Sequence, residues 1–168
     1  MKIKIFVSLL LVISVIFLST SCVQYKKFEY CEMGIYLTKE FKEYDSEGAF
    51  NVAYSDGNVI VGITRISFVD SEQLGFLTTH SPRVFAEVYR DMMERELKGE
   101  VDMHNDVPFF TYTDVGSDGA IYFYMPTFYK TPYAYFVITF ITPKLREDVG
   151  RVEFFEYIDT VYILEEYL

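Results

Sequence analysis

Tryptophan is absent from this chain of 168 residues, and cysteine and histidine occur only twice each. Two cysteines, Cys22 and Cys31, are too few for a disulfide-dense scaffold or a cysteine zinc site. The two histidines, His80 and His104, lie in separate segments without the His-x-x-x-His spacing that puts two imidazoles on one helix face. Gly-x-Ser-x-Gly is missing, and no glycine-rich run could cradle a phosphate. Positive charge is also scarce, with 15 basic against 25 acidic residues. Nucleic-acid binding draws on clustered Lys and Arg that release counterions. Lys26-Lys27 is the sole such cluster, so nucleic acid is excluded as an expected partner. The expectation is a non-enzyme with no cofactor and no metal.

What is present begins with a leader. Lys2 and Lys4 form a positive start, and Ile5 to Leu18 is apolar except for Ser8 and Ser14. The small residues Ser19-Thr20-Ser21 follow. A 14-residue helix spans about 20 Å, short of a hydrocarbon core of about 30 Å, so residues 1–21 read as a signal peptide rather than a membrane span. Setting Lys2 and Lys4 aside from the 15 basic residues leaves 13 against 25 acidic ones in the exported part.

Leu18-Ser-Thr-Ser-Cys22 resembles the lipobox of bacterial lipoproteins. That resemblance implies acylation of Cys22 and a lipid anchor in the cell membrane or outer membrane, with the domain facing the periplasm or the exterior. Ser19-x-Ser21 also suits an ordinary signal peptidase, which would leave Cys22 free to pair with Cys31. If Cys22 is acylated, Cys31 is the one remaining thiol and is expected to be a small buried residue.

Beyond the leader, residues 22–33 read as a polar, aromatic tether and residues 34–168 as one α+β domain. Met33 to Thr38 reads as a short strand, and Lys39 to Gly48 as a loop or edge segment. Two hairpins are predicted around Ser55-Asp-Gly-Asn58 and Gly116-Ser-Asp-Gly119, where Asp hydrogen-bonds locally and Gly accepts positive φ. A helix is predicted from Ser81 to about Leu97, capped by Ser81, opened by Pro82 and stopped by Gly99. Its apolar stripe is Val84, Phe85, Val88, Tyr89 and Met92. Thr111 to Met125 and Tyr133 to Ile141 are the strongest strand regions; both faces of the second are apolar, which predicts cover on both sides. Val152, Phe155, Ile158 and Tyr162 have the spacing of a closing helix. The fold class expected is α+β, an antiparallel β-sheet with helices packed on it.

Gly34-Ile-Tyr-Leu37, the Asp56-Gly57 hairpin, the helix after Ser81-Pro82, the tyrosine-rich strands and the closing Phe154 to Tyr162 segment together resemble the PsbP/DcrB-like family of small α+β domains. The likeness covers Gly34 to Leu164 and implies a PsbP-like sandwich acting by binding protein partners. The segment Met125 to Tyr133, read as a long connection between strands, gathers Phe128, Tyr129 and Tyr133 around Lys130 and is the candidate binding loop. The alternative is that these rings fold down onto the core. Asp102-Met-His-Asn-Asp106 could supply a weak oxygen-rich metal site only if its carboxylates converge. The function expected is a lipid-anchored envelope protein binding an unidentified envelope protein, with a small-molecule or lipid carrier using an aromatic pocket between helix and sheet as the alternative.

Overall fold

Ala134–Pro143, buried at every position but its last, forms the middle strand of the large sheet in the structure, a computed structural model that describes residues 23–93 and 99–168. In chain order the strands are β1 (Tyr25–Tyr30), β2 (Met33–Thr38), β3 (Lys42–Glu43), β4 (Val52–Ser55), β5 (Ile60–Ser67), β6 (Asp102–His104), β7 (Val107–Phe109), β8 (Tyr112–Val115), β9 (Ile121–Lys130), β10 (Ala134–Pro143) and β11 (Tyr162–Ile163). The helices are α1 (Phe68–Gln73), α2 (Pro82–Met92) and α3 (Glu147–Ile158). The large sheet runs β3-β4-β5-β10-β9-β7-β6, with β8 also on β9, and a small sheet runs β1-β2-β11. Every pairing among the described residues is antiparallel, so the fold is the α+β arrangement expected.

Because side chains alternate along a strand, β10 feeds two cores. Phe136, Ile138 and Phe140 join Val61, Ile63, Phe123 and Met125 of the large sheet, Ile35 and Leu37 of β2, and Phe154, Tyr157 and Ile158 of α3. On the opposite face Tyr135 and Val137 join Ile66, Phe76, Phe85, Ala86, Phe110 and Phe128 beneath α1 and α2. Both faces of β10 are covered, as its lack of a polar face requires.

Four expectations are corrected. Tyr25–Tyr30, read as part of the tether, is a full strand paired with β2 from Tyr25↔Thr38 to Tyr30↔Met33. Its outward Lys27 and Glu29 hid the alternation that buries Phe28. Helix α2 starts as predicted, with the Ser81 hydroxyl accepting from Val84 N, but it ends at Met92 because Met93 turns to an extended ψ of 108, and residues 94–97 of the predicted span lie outside the described residues. Its buried stripe is Phe85 and Ala86, with Tyr89 and Met93 partly buried, while Val84 and Met92 are exposed. Phe85 sets that rotation: its ring centroid lies 4.3 Å from Tyr135, 4.7 Å from Phe76 and 5.4 Å from Phe128.

Helix α3 buries Phe154, Tyr157 and Ile158 and leaves Val152 60% exposed, and Tyr162 belongs to β11 rather than to the helix. Finally, Met125 to Lys130 is not a connection but the second half of β9. Pro126 is tolerated there because its carbonyl accepts from Phe110 N, which shows that its nitrogen also faces the β7 and β8 side. On that side β9 changes partner, from β8 at Tyr124 to β7 at Thr127, so no ladder donor is missing.

Candidate functional site

Helices α1 and α2 cover only half of their face of the large sheet. The rows Ile66–Tyr135–Lys130 and Thr64–Val137–Phe128 lie beneath them. The rows Gly62–Thr139–Pro126 and Ile60–Ile141–Tyr124 lie beyond, ending at Tyr122 opposite Asp114. Over this free half the loop between β3 and β4 folds back. Asp45 Oδ1 accepts from Glu47 N at 2.9 Å and Ser46 Oγ from Phe50 N at 3.3 Å, with Glu47 at φ +52. The Phe50 ring then lies flat on Gly62, where a Cβ would sit 2.4 Å from the ring.

The result is an open trough of about 430 Å³ whose aromatic walls are Tyr44, Phe50, Tyr122 and Tyr124, with Ile60 and Ile141 in its floor. Tyr112 stacks on Tyr124 at 4.8 Å and 4°, which stiffens that wall. Asp45, Glu47 and Asp118 contribute carboxylates. Tyr122 donates its hydroxyl to Asp118 Oδ2 at 2.7 Å, which holds the Asp118 carboxyl below its ordinary range and raises the Tyr122 phenol. Tyr44 is 46% exposed. Among the described residues no histidine, cysteine or lysine lines the trough, which offers apolar surface, phenol and serine hydroxyls and negative charge.

Of the candidate loop residues, Phe128, Tyr129 and Lys130 border one pocket of about 260 Å³, with Tyr133 outside it, but their side chains diverge. Phe128 is buried beneath α2, 5.3 Å from Tyr89 and 5.7 Å from Phe110. Tyr129 points to the opposite core; its hydroxyl is buried without a hydrogen-bond partner, and burial pushes its pKa up. Lys130 Nζ donates to the carbonyls of Thr78 at 2.6 Å and His80 at 3.0 Å. Only Tyr133 is exposed, at 55%, beside Tyr167. The turn itself is short, closed by Thr131 Oγ1 accepting from Tyr133 N and Ala134 N. The carrier pocket expected between helix and sheet is filled by Phe85, Phe128 and Tyr135.

His104 stacks on Phe155 at 4.3 Å and meets Asp159 Oδ1 at 2.9 Å, and Asn105 donates to the same oxygen. Asp102 accepts from Met103 N, so the carboxylates of that segment do not converge on His104. Among the described residues no three His, Cys, Asp or Glu side chains cluster as metal ligands. His80 Nδ1 accepts from Leu77 N at 3.4 Å.

Cys22 lies outside the described residues. Cys31 is free and exposed at φ +50 in the β1–β2 turn, not buried as expected, because the turn sends the Glu32 side chain inward onto Arg65 and that of Cys31 outward. Gln24 O still accepts from Lys39 N, so the strand holds the chain from Gln24 onward. Six residue steps separate Gln24 from Tyr30, about 20 Å at a strand's rise, and two steps from Gln24 back to Cys22 reach about 7 Å at most. A bridge between Cys22 and Cys31 needs Cα atoms within about 7 Å, so within one chain it requires β1 to come apart.

The trough residues were missed because nothing local says which half of a face the helices will cover. The one local signal was Gly62 inside a strand pattern, which often marks a close approach by another group.

No family model and no curated protein matches the chain. Among solved structures, the fold is similar to a crystal structure from Bacteroides thetaiotaomicron VPI-5482, with a TM-score of 0.55 and 14% identity over 85% of this chain and 50% of that one. The chain thus spans half the length of that structure. It is also similar to the solution structure of cyanobacterial PsbP (CyanoP) from Synechocystis sp. PCC 6803, with a TM-score of 0.50 and 8% identity over 87% of this chain and 96% of that one. The fold is therefore PsbP-like.

Proposed function

We propose that this protein is an exported envelope protein, anchored through an acylated Cys22, that works without catalysis by binding a protein partner in the Tyr44–Phe50–Tyr122–Tyr124 trough. The observation that carries this reading is the half of the sheet face that α1 and α2 leave bare, surfaced by four aromatic rings. Tyrosine pairs large apolar area with a polar tip and loses little side-chain entropy on binding, which is why it dominates recognition surfaces. The carboxylates of Asp45, Glu47 and Asp118, on a chain of net charge -10, favour a partner that presents a basic segment.

A photo-crosslinking residue at Tyr44 in the membrane-bound protein should give one discrete protein adduct, lost when Tyr122→Ala is added and weakened by salt. The same probe at Leu145, fully exposed elsewhere, should give none. Equal adducts at both positions, or an adduct indifferent to Tyr122→Ala, would refute the trough as the binding surface.

A further inference from the structure

Because β1 starts at Tyr25 and Gln24 already joins its ladder, only Val23 separates the folded domain from Cys22. On the reading that Cys22 is acylated, two residue steps of about 7 Å at most leave no spacer, so the domain is held directly on its membrane.

The surface nearest that anchor is the outer face of the small sheet. The registers Tyr25↔Thr38, Lys27↔Tyr36 and Tyr162↔Gly34 put Tyr25, Lys27, Tyr36 and Tyr162 on it, while Phe28, Ile35 and Leu37 point into the core. Tyr36 and Tyr162 lie 5.5 Å apart, and Lys27 Nζ sits 5.3 Å over the Tyr162 ring and 2.6 Å from Glu29. Glu29, opposite Gly34, shares the outer face and pairs with Lys27, whereas Lys26, opposite Leu37 and 4.9 Å over the Phe28 ring, lies on the inner side, and Lys39 Nζ is bonded to Gln24 Oε1 at 3.3 Å. The outer face thus carries one ion pair, Lys27 with Glu29, beside three tyrosines and has no net charge, on a chain with 25 acidic residues. Tyrosine and lysine are also the residues that settle at a headgroup boundary, ring in the interface and ammonium in water.

We propose that the outer face of the β1–β2–β11 sheet lies on the membrane that carries Cys22, with Tyr25, Tyr36 and Tyr162 at the interface and Lys27 reaching the phospholipid headgroups. Aromatic and without net charge, this face enters the interface at less cost than the acidic remainder of the surface, which fixes the orientation. The trough opens on the far face of the large sheet and so points away from the lipid.

The absence of tryptophan supplies the test, since Tyr36→Trp and Tyr44→Trp each introduce a sole reporter at positions of similar exposure, 41% and 46%. Each full-length protein is extracted from membranes, its intact mass is read, and it is reconstituted into vesicles of equal parts phosphatidylcholine and phosphatidylglycerol carrying a lipid nitroxide near the headgroup. The Tyr36→Trp emission is expected to fall by about twofold or more, and the Tyr44→Trp emission to hold, as contact with the interface dictates. Adding Tyr25→Ser and Tyr162→Ser is expected to remove most of that quenching. Acylated protein quenched equally at both positions, or more at Tyr44→Trp, overturns the orientation and leaves the anchor standing. An unacylated mass overturns both, because the short tether then ends in no lipid.

Discussion

Arg65→Ala should be far more damaging than removing the whole ion pair to which Arg65 belongs. Glu32, in the β1–β2 turn, receives Arg65 Nε at 2.8 Å and Nη2 at 2.6 Å, and this two-pronged contact ties the small sheet to β5. The side chains are 5% and 26% exposed, so the carboxylate is the buried member. Removing its partner leaves a desolvated charge, a loss of about 3–5 kcal/mol. Glu32→Leu/Arg65→Met, which replaces both by apolar groups, should cost less than Arg65→Ala alone, because a buried pair roughly balances its own desolvation.

The pH dependence carries the sign. Arg65 holds the Glu32 carboxyl below its ordinary value, so the stability this group adds is present above the unfolded carboxylate pKa and is lost as pH falls through the lower folded one. In Arg65→Ala burial, opposed only by the weaker pull of the Glu32 backbone hydrogen bond, pushes that carboxyl up; acidification then relieves the defect. Urea unfolding followed by circular dichroism at neutral pH and at steps down toward the carboxylate range should show the gap between wild type and Arg65→Ala closing as pH falls. A gap that stays constant, or a double variant less stable than Arg65→Ala, would refute the reasoning.

Two further predictions follow from burial and close contact. Tyr157 is pushed up to about 12 by burial, so its contribution is intact below the ordinary phenol value and lost as pH rises through about 12; Tyr157→Phe should remove one phenol from the part of the alkaline absorbance titration near 12 and soften the stability loss there. Gly62→Ala should cost about 1–3 kcal/mol, as overpacking does, by lifting Phe50 off the sheet, and in a Phe50→Ala background the same substitution should be nearly neutral by thermal unfolding.

What was legible in the sequence was what local chemistry decides. The turns at Asp56-Gly57 and Asp118-Gly119 form with Gly57 and Gly119 at positive φ, β2 spans Met33–Thr38 as expected, and β10 is covered on both faces because it has no polar one. Pairing partners were not legible. Tyr25–Tyr30 reads as polar until β2 is placed beside it, and Pro126 reads as a strand breaker until its nitrogen is seen to face the junction of β7 and β8. Helix faces failed for a related reason: Val84 and Met92 are as apolar in sequence as Phe85, but only Phe85 meets the rings of Phe76, Phe128 and Tyr135. The aromatic loop was a misreading of connectivity, since alternation along β9 sends Phe128 and Tyr129 to opposite cores.

Both candidate surfaces are built by one device. Gly62 lets Phe50 lie flat on the large sheet, and Gly34 lets Tyr162 lie flat on the small one, where a Cβ would come within 2.3 Å of the ring. A side chain at either glycine would hold the aromatic ring off the strands, leaving Phe50 unable to border the trough and Tyr162 unable to meet Tyr36 and Lys27. In a strand interior glycine costs conformational entropy and packs nothing of its own, so each is a local weakness that a ring must offset by its own burial. That both rings sit at the edge of an exposed tyrosine patch connects the two departures from strand propensity to the two surfaces through which this domain is proposed to act: one turned to a protein, the other to the lipid beneath it.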